Sequence, residues 1–321
     1  MSEPSTTSPR IRDRILKSQV RRVYDEIGDR WTCLILLSLF SGIDSFEGWL
    51  SIHGISPGIL SNRLKNLLHI GLLTRKNSED DARRVEYRLS EKGEELYLWA
   101  LAVWQWESKW VFRDSPHPSP LIHREHGPIS DVEFLCGSCH SPVNFYNIGI
   151  DRGPAYDLLS LPNGNNVRQT RKTIAESGQS SYPFGRSMDI IGDRWNFLII
   201  SASYFGVTRF DEFQHQLNIA TNTLANRLLG LTQSGMLARN QYRENPARYE
   251  YILTQKTLDF YQIPLMLALW GDRWLPVAEG DIFVRTHLNC GERLMIKPVC
   301  SDCKEEIKAG EFQICPDATS P

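Results

Sequence analysis

Two short segments hold the residues best equipped for chemistry. One reads "HREHGPISDVEFLCGSC" and the other "HLNCGERLMIKPVCSDC". As spacings these are H-x2-H-x9-C-x2-C, through His123, His126, Cys136 and Cys139, and H-x2-C-x9-C-x2-C, through His287, Cys290, Cys300 and Cys303. Four nitrogen or sulfur donors in two close pairs suit a tetrahedral Zn2+, and the small polar residues inside "CGSC" and "CSDC" suit a zinc knuckle. With every ligand drawn from protein, such a zinc would be structural and would leave no open position for catalysis. Free thiols in a reducing cytosol, or a C-x-x-C redox pair, are the competing readings. His140 in the first segment and Cys315 in the second are alternative ligands to His123 and His287.

The two segments are one pattern written twice, and the rest of the chain repeats at the same offset of 164 residues. "IGDRW" stands at Ile27 to Trp31 and at Ile191 to Trp195, and "NRL" at Asn62 to Leu64 and at Asn226 to Leu228. Glu86 and Tyr87 return as Glu250 and Tyr251, and Trp106 and Trp110 as Trp270 and Trp274. A match sustained without gaps marks an internal duplication.

Within one copy, "DRILKSQVRRVYDEIG" has apolar residues at helical spacing. Gly28 suits a left-handed residue closing that helix, and Asp29 suits the N-cap of the next. Trp31, Leu34, Ile35 and Leu39 then form an apolar stripe, interrupted by Ser38. A short helix near Phe46 to Ile52 and a turn at Gly54 lead into "SPGILSNRLKNLLHIG". Here Ser56 is the expected cap, Pro57 the first helical residue, and Leu60, Leu64, Leu67 and Leu68 the buried face. In the second copy Ala220 replaces the serine, so capping is expected to pass to Thr221. Two helices about a glycine turn make a helix-turn-helix. "LLTRK" and "VEYRL" follow as a β-wing around the loop "NSEDDARR", and "SEKGEELYLWALAVWQWESKW" closes the unit as a Trp-rich helix. The expected architecture is mainly α with small β-wings: two winged helix-turn-helix domains in tandem, each followed by a small Cys/His ribbon. The expected boundaries are a first domain over 1–112, its Cys/His segment over 113–149, a linker over 150–181, a second domain over 182–276 and its segment over 277–321. The linker contains Gly, Pro, Asn and Ser punctuation and a candidate short helix at "RQTRKTIAE".

"DxIGDRWxxLIL", "ISPGILSNRLKNLLHIGLLTRK", "RRVEYRLSEKG" and the terminal Trp-bearing helix together resemble the HxlR-type winged-helix transcriptional regulators, over about residues 16–112 and again over 180–276. That resemblance implies a bacterial repressor or activator that works as a dimer through its terminal helices. Three departures stand out. Many members place a sensor cysteine just before the first helix, where this chain has Ser18 and Tyr182, so no thiol switch is expected there. Members are usually single-domain chains, and the Cys/His segments are additional.

The outer, N-terminal half of a recognition helix meets base edges in the major groove. That half offers Ser56, Gly58, Ser61, Asn62 and Lys65 in the first copy and Asn222, Thr223, Asn226 and Arg227 in the second. Asn pairs with adenine, and Lys reaches guanine or phosphate. Arg63 borders the apolar face and is a candidate for holding the helix in place. Arg83 and Arg84 on the first wing, and Arg239, Arg243 and Arg248 on the second, are phosphate candidates. Arg10, Arg12, Arg14, Lys17, Arg21 and Arg22 form the most basic stretch, suited to a DNA-backbone arm or, more ordinarily, to a solvated helix face. The net charge of −2 and pI near 6.5 supply no overall basic field, so nucleic-acid binding must rest on local patches.

The N-terminus has no apolar leader, "CLILLSLF" is too short to span a bilayer, and an odd count of seven cysteines argues against a disulfide framework. A cytoplasmic protein without a membrane partner is therefore expected. No phosphate-cradling glycine loop or nucleophile–base arrangement suggests catalysis. The leading expectation is a sequence-specific regulator acting as a single-chain pseudo-dimer on an imperfect palindrome of double-stranded DNA, with structural zinc and a capacity for self-association. The alternative is a zinc-braced protein-interaction module that has lost specific DNA binding. The sequence identifies no effector.

Overall fold

A computed structural model describes residues 11–77, 85–124, 126–160 and 183–315. The first copy runs α1 (Ile11–Lys17), α2 (Gln19–Ile27), α3 (Arg30–Phe40), α4 (Phe46–His53), α5 (Pro57–His69), β1 (Leu73–Asn77), β2 (Val85–Leu89), α6 (Glu91–Glu94) and α7 (Tyr97–Trp110). Its ribbon adds β3 (Leu121–His123), β4 (Gly127–Pro128), β5 (Val132–Cys136) and β6 (Ile148–Arg152). The second copy runs α8 (Gly185–Ile191), α9 (Arg194–Tyr204), α10 (Phe210–Leu217), α11 (Thr221–Gln233), β7 (Leu237–Arg243), β8 (Arg248–Leu253), α12 (Gln255–Phe260) and α13 (Gln262–Trp274), with ribbon strands β9 (Phe283–His287), β10 (Ile296–Cys300) and β11 (Phe312–Ile314). This is a mainly helical chain of two winged helix-turn-helix units, each trailed by a ribbon. Among the described residues, no helix is long and apolar enough to cross a membrane.

Local chemistry explains most boundaries, and it corrects several expectations. The first helical segment breaks in two because Ser18 turns outward to cap α2, accepting a hydrogen bond from Arg21 N. The closing Trp-rich segment likewise divides into α6 and α7. Gly28 is not left-handed (φ −78°). Its glycine is needed for close approach instead, since a Cβ there would lie 2.3 Å from Tyr24 Cδ1. Gly54 and Gly71 do take positive φ, 60° and 74°, where the chain turns out of α4 and α5. Asp29 caps α3 as expected, accepting from Trp31 N and Thr32 N. α11 starts at Thr221 behind an Ala220 N-cap position without a side-chain hydrogen bond, so capping does not pass to Thr221; that hydroxyl accepts from Gln214 instead.

The copies embrace through equivalent parts. Trp106 Nε1 donates to Lys256 O at 2.9 Å, and Trp270 Nε1 returns the bond to Lys92 O at 2.9 Å. Trp110 reaches Asp259 at 3.0 Å, and Trp274 reaches Glu95 at 2.9 Å. β5 and β10 pair antiparallel so that Phe134 faces Pro298, its own counterpart in the repeat, which puts a local two-fold axis through that pair. Other ribbon strands are exchanged: β11 of the second copy pairs with β3 of the first, and β6 of the first with β9 of the second, while β4 stays on β3 of its own copy.

The segment expected to be a linker from residue 150 is therefore structured at its start. β6 continues into a turn whose Ala155 and Tyr156 are buried against Ile282 and Phe283. The rest of the linker, with its candidate helix, lies outside the described residues, as do Tyr182 and Arg10. Within the basic N-terminal stretch, Lys17, Arg21 and Arg22 are engaged by the fold instead of forming a free arm or a solvated face. Arg21 is buried and paired with Asp25, Arg22 donates to Leu275 O, and Lys17 donates to Tyr156 O.

Candidate nucleic-acid interface and metal centres

α5 and α11 have the same length, and each buries equivalent leucines: Leu60, Leu64 and Leu67 in one, Leu224, Leu228 and Leu231 in the other. Ser56, Gly58, Asn62 and Lys65 are exposed at the start of α5, and Ser61 is half-buried. Asn222 and Asn226 are exposed on α11, and Thr223 is half-buried.

Arg227 does not belong with them. It is 8% exposed and grips Asp193 twice, Nε to Oδ1 at 3.1 Å and Nη2 to Oδ2 at 2.8 Å. Arg63 does the same in the first copy, with Nε 2.9 Å from Asp29 Oδ1. The arginine of "NRL" thus docks the recognition helix onto the capping aspartate of "GDRW", which is why both motifs recur together. The expectation that Arg227 faces DNA is corrected, because its charge is spent inside the fold.

On the second wing Arg243 and Arg248 are exposed, and Arg239 lies 3.5 Å over the Tyr249 ring. Arg83 and Arg84 of the first wing lie outside the described residues. Arg75 on β1, not singled out from the sequence, is exposed.

The cysteines and histidines come together, but across the copies. Cys136, Cys139, His287 and Cys290 form one group and His123, Cys300 and Cys303 another, with ligand atoms within 4.8 Å of one another in each. The within-copy sets read from the spacing are therefore wrong in their partnership. The C-x-x-C of each copy joins the His of the other, because the β5–β10 pairing and the exchanged outer strands carry each knuckle over the axis. His126 stands in an adjoining group with Cys300 and Asp302. Neither His140 nor Cys315 belongs to any of these groups.

In the four-donor group Cys136 Sγ is 3.9 Å from Cys290 Sγ, while His287 Nδ1 is 3.2 Å from Cys139 Sγ and 3.5 Å from Cys290 Sγ. A tetrahedral site with bonds of about 2.3 Å to sulfur has edges of roughly 3.8 Å, so these donors fit a metal ion of that kind. Hydrogen bonds from the Ser141 backbone and hydroxyl bring the Cys139 thiol down to about 6, which favours the thiolate a metal needs. In the three-donor group Cys303 Sγ is 3.6 Å from His123 Nδ1. His123 and His287 are both almost fully buried.

Residues 26–115 and 190–279 match the HxlR-like helix-turn-helix family. The chain belongs to that family. It is a DNA-binding transcriptional regulator of HxlR type in tandem form. An uncharacterised HTH-type transcriptional regulator of Mycobacterium bovis is 38% identical over 125 residues, covering 39% of this chain and 79% of the relative. Another, YvaP of Bacillus subtilis, is 32% identical over 93 residues, covering 29% of this chain and 86% of the relative. A Pseudomonas aeruginosa structure solved as a candidate transcription factor matches with a TM-score of 0.33 and 28% identity, over 42% of this chain and 92% of that one. Each HxlR unit here ends in the Trp-bearing helix that bonds its counterpart.

Proposed function

We propose that this HxlR-type chain acts alone as a pseudo-dimer, placing α5 and α11 in successive major grooves of an imperfect palindrome. The reciprocal tryptophan bonds between α7 and α13 and their neighbouring helices carry this reading. They make the contact between equivalent surfaces that a two-fold dimer requires. Half-sites would then lie about one DNA turn apart. Ser56, Gly58, Ser61, Asn62 and Lys65 read one half-site, and Asn222, Thr223 and Asn226 the other. Arg243 and Arg248 hold phosphates beside the second. The working units are the two winged domains, over about 1–112 and 182–276, with exchanged ribbons between them.

The Cys/His groups hold structural zinc, His287 with Cys136, Cys139 and Cys290, and His123 with Cys300 and Cys303. A bound ion supplies cross-linking charge, while the residues supply thiolates and buried imidazoles that tie one copy to the other. Nothing in this reading calls for catalysis. Because the basic N-terminal helices are engaged with the second copy, DNA contact falls to the recognition helices and wings.

The test is fluorescence anisotropy with fragments from the gene's own upstream region, across a salt series and with excess genomic competitor, alongside light scattering. Binding that survives competitor and loses about 1–3 kcal/mol for each of Asn62→Ala and Asn226→Ala is expected, with one chain per operator. Binding that competitor abolishes would overturn the regulator reading in favour of a protein-interaction module. Two chains per operator would overturn the pseudo-dimer.

A further inference from the structure

At one place where the two-fold relation between the copies fails, the failure leaves a hole. On one side of the axis Trp104 of α7 and Phe184, just before α8, are both buried, with His117 packed against their rings. Their counterparts on the other side are Ala268 of α13 and Val20 of α2. An indole and a phenyl ring have become a methyl and an isopropyl group. Where they would sit there is a cavity of about 110 Å3, lined by Val20, Phe197, Tyr204, Tyr261 and Ala268.

An apolar pocket between packed helices leaves its walls short of contacts unless something fills it. The lining is mostly apolar, with Ser18, Ser201, Arg14 and Arg285 among its polar members, and no Asp or Glu is among the lining residues. Arg285 is already paired with Asp272 at 2.5 Å. Arg14 is not comparably served. Its Nε is buried with no hydrogen-bond partner, and its guanidinium lies over the Phe205 ring at 4.6 Å.

We propose that this cavity is a binding site for a one-ring aromatic carboxylate, with the ring in the space vacated by the missing indole and the carboxylate on Arg14. At about 110 Å3 the pocket is no larger than the roughly 150 Å3 apolar cavity that takes a single benzene ring, so one ring is its upper limit and a fused pair does not fit. The walls come from α1 and α2 of the first copy and α9 and α13 of the second, so an occupant bridges the copies and bears on the angle between their heads. That last consequence rests on the regulator reading, whereas binding itself does not.

The test is calorimetry on the full chain with benzoate, benzamide and 2-naphthoate. Benzoate should bind once per chain, at least tenfold more tightly than benzamide, and 2-naphthoate should not bind. Ala268→Trp restores the residue of the sister copy and should abolish benzoate binding without lowering the melting temperature. Ser201→Leu, which copies Leu37, fills the same space from α9 and serves if the tryptophan variant does not fold. Arg14→Gln should erase the preference for benzoate over benzamide. No benzoate binding to the wild-type chain, or equal binding to the filled variants, would overturn the site. A preference that survives Arg14→Gln would overturn the assignment of the carboxylate. Operator affinity measured with and without benzoate is a separate readout, so its failure leaves the binding result intact.

Discussion

α5 and α11 share their length, their buried leucines and the arginine clasp onto the preceding helix, yet their outer faces differ in charge. α5 keeps Lys65 exposed. α11 has no cation but Arg227, and that one is buried in its ion pair. What the fold needs has been held, and what a half-site would read has been released. Identical subunits from one gene could not diverge in this way, because any change would appear in both. The same contrast governs the cavity, where only one copy gave up its tryptophan. It also governs Glu107, which caps α8 by accepting from Phe184 N at 2.8 Å and Ser187 N at 2.9 Å, while its counterpart is Gly271. Gly271 lies so close to α2 that a Cβ would come within 2.6 Å of Val23 Cγ2.

The proposed zinc sites are where this comparison can be broken most sharply, because apparent binding free energies for structural zinc are on the order of 10 kcal/mol. Cross-copy assembly predicts that Cys139→Ser with Cys290→Ser removes one zinc of two, since both belong to one group. Within-copy sets would lose both ions. Metal content by elemental analysis separates these outcomes. The three-donor group of His123, Cys300 and Cys303 should also yield its ion first to a graded chelator series, because among the described residues no fourth ligand joins these three.

The arginine clasps offer a smaller, graded effect. The Arg227 and Asp193 side chains are 10% and 11% exposed, against 27% and 33% for Arg63 and Asp29. Removing one partner of a buried pair strands the other charge, so Arg227→Ala should cost about 3 kcal/mol. The more solvated pair is screened, and Arg63→Ala should cost about 1 kcal/mol. Urea unfolding of the two variants checks the order. Equal losses would mean that the two clasps are energetically alike despite their burial.

Most of the fold was legible because the duplication writes each helix, cap and wing twice at one offset. Local signals such as Asp29 before an apolar stripe, or Pro57 opening α5, carry their meaning within a few residues. The larger failures are long-range, while those at Ser18, Gly28 and Thr221 are local. Asp29 is visible as a cap, but its second role as acceptor for Arg63 joins residues 34 positions apart. Gly28 was assigned a left-handed turn when the constraint was the Tyr24 ring packed against it. Seven of the eight candidate ligands come together, but across the copies and not within them, because a spacing is the same whether it closes on itself or on its duplicate. Only the register that sets Phe134 against Pro298 decides between them. The cavity was latent in the alignment of Trp104 with Ala268, but a small residue reads as ordinary core until its surroundings are known.

A last contrast lies under the helix-turn-helix, where Ser38 and His53 face each other with Oγ to Nε2 at 2.7 Å, and the second copy has Ala202 and Leu217. Burial, reinforced by the nearby Arg30 charge, brings His53 down from 6.5 to about 4. The folded state therefore resists a proton that the unfolded chain accepts, so stability is full above pH 6.5 and is lost as pH falls through the window down to about 4. With the ring partly solvated, the loss at pH 5 should be on the order of 1 kcal/mol. Ser38→Ala with His53→Leu transplants the second copy's apolar pair and removes both polar partners together, which is nearly neutral at pH 7. The variant should match the wild-type chain at pH 7 and exceed it at pH 5 by that margin in urea unfolding. An unchanged pH profile would place the acid sensitivity elsewhere and leave the serine–histidine pair as packing alone.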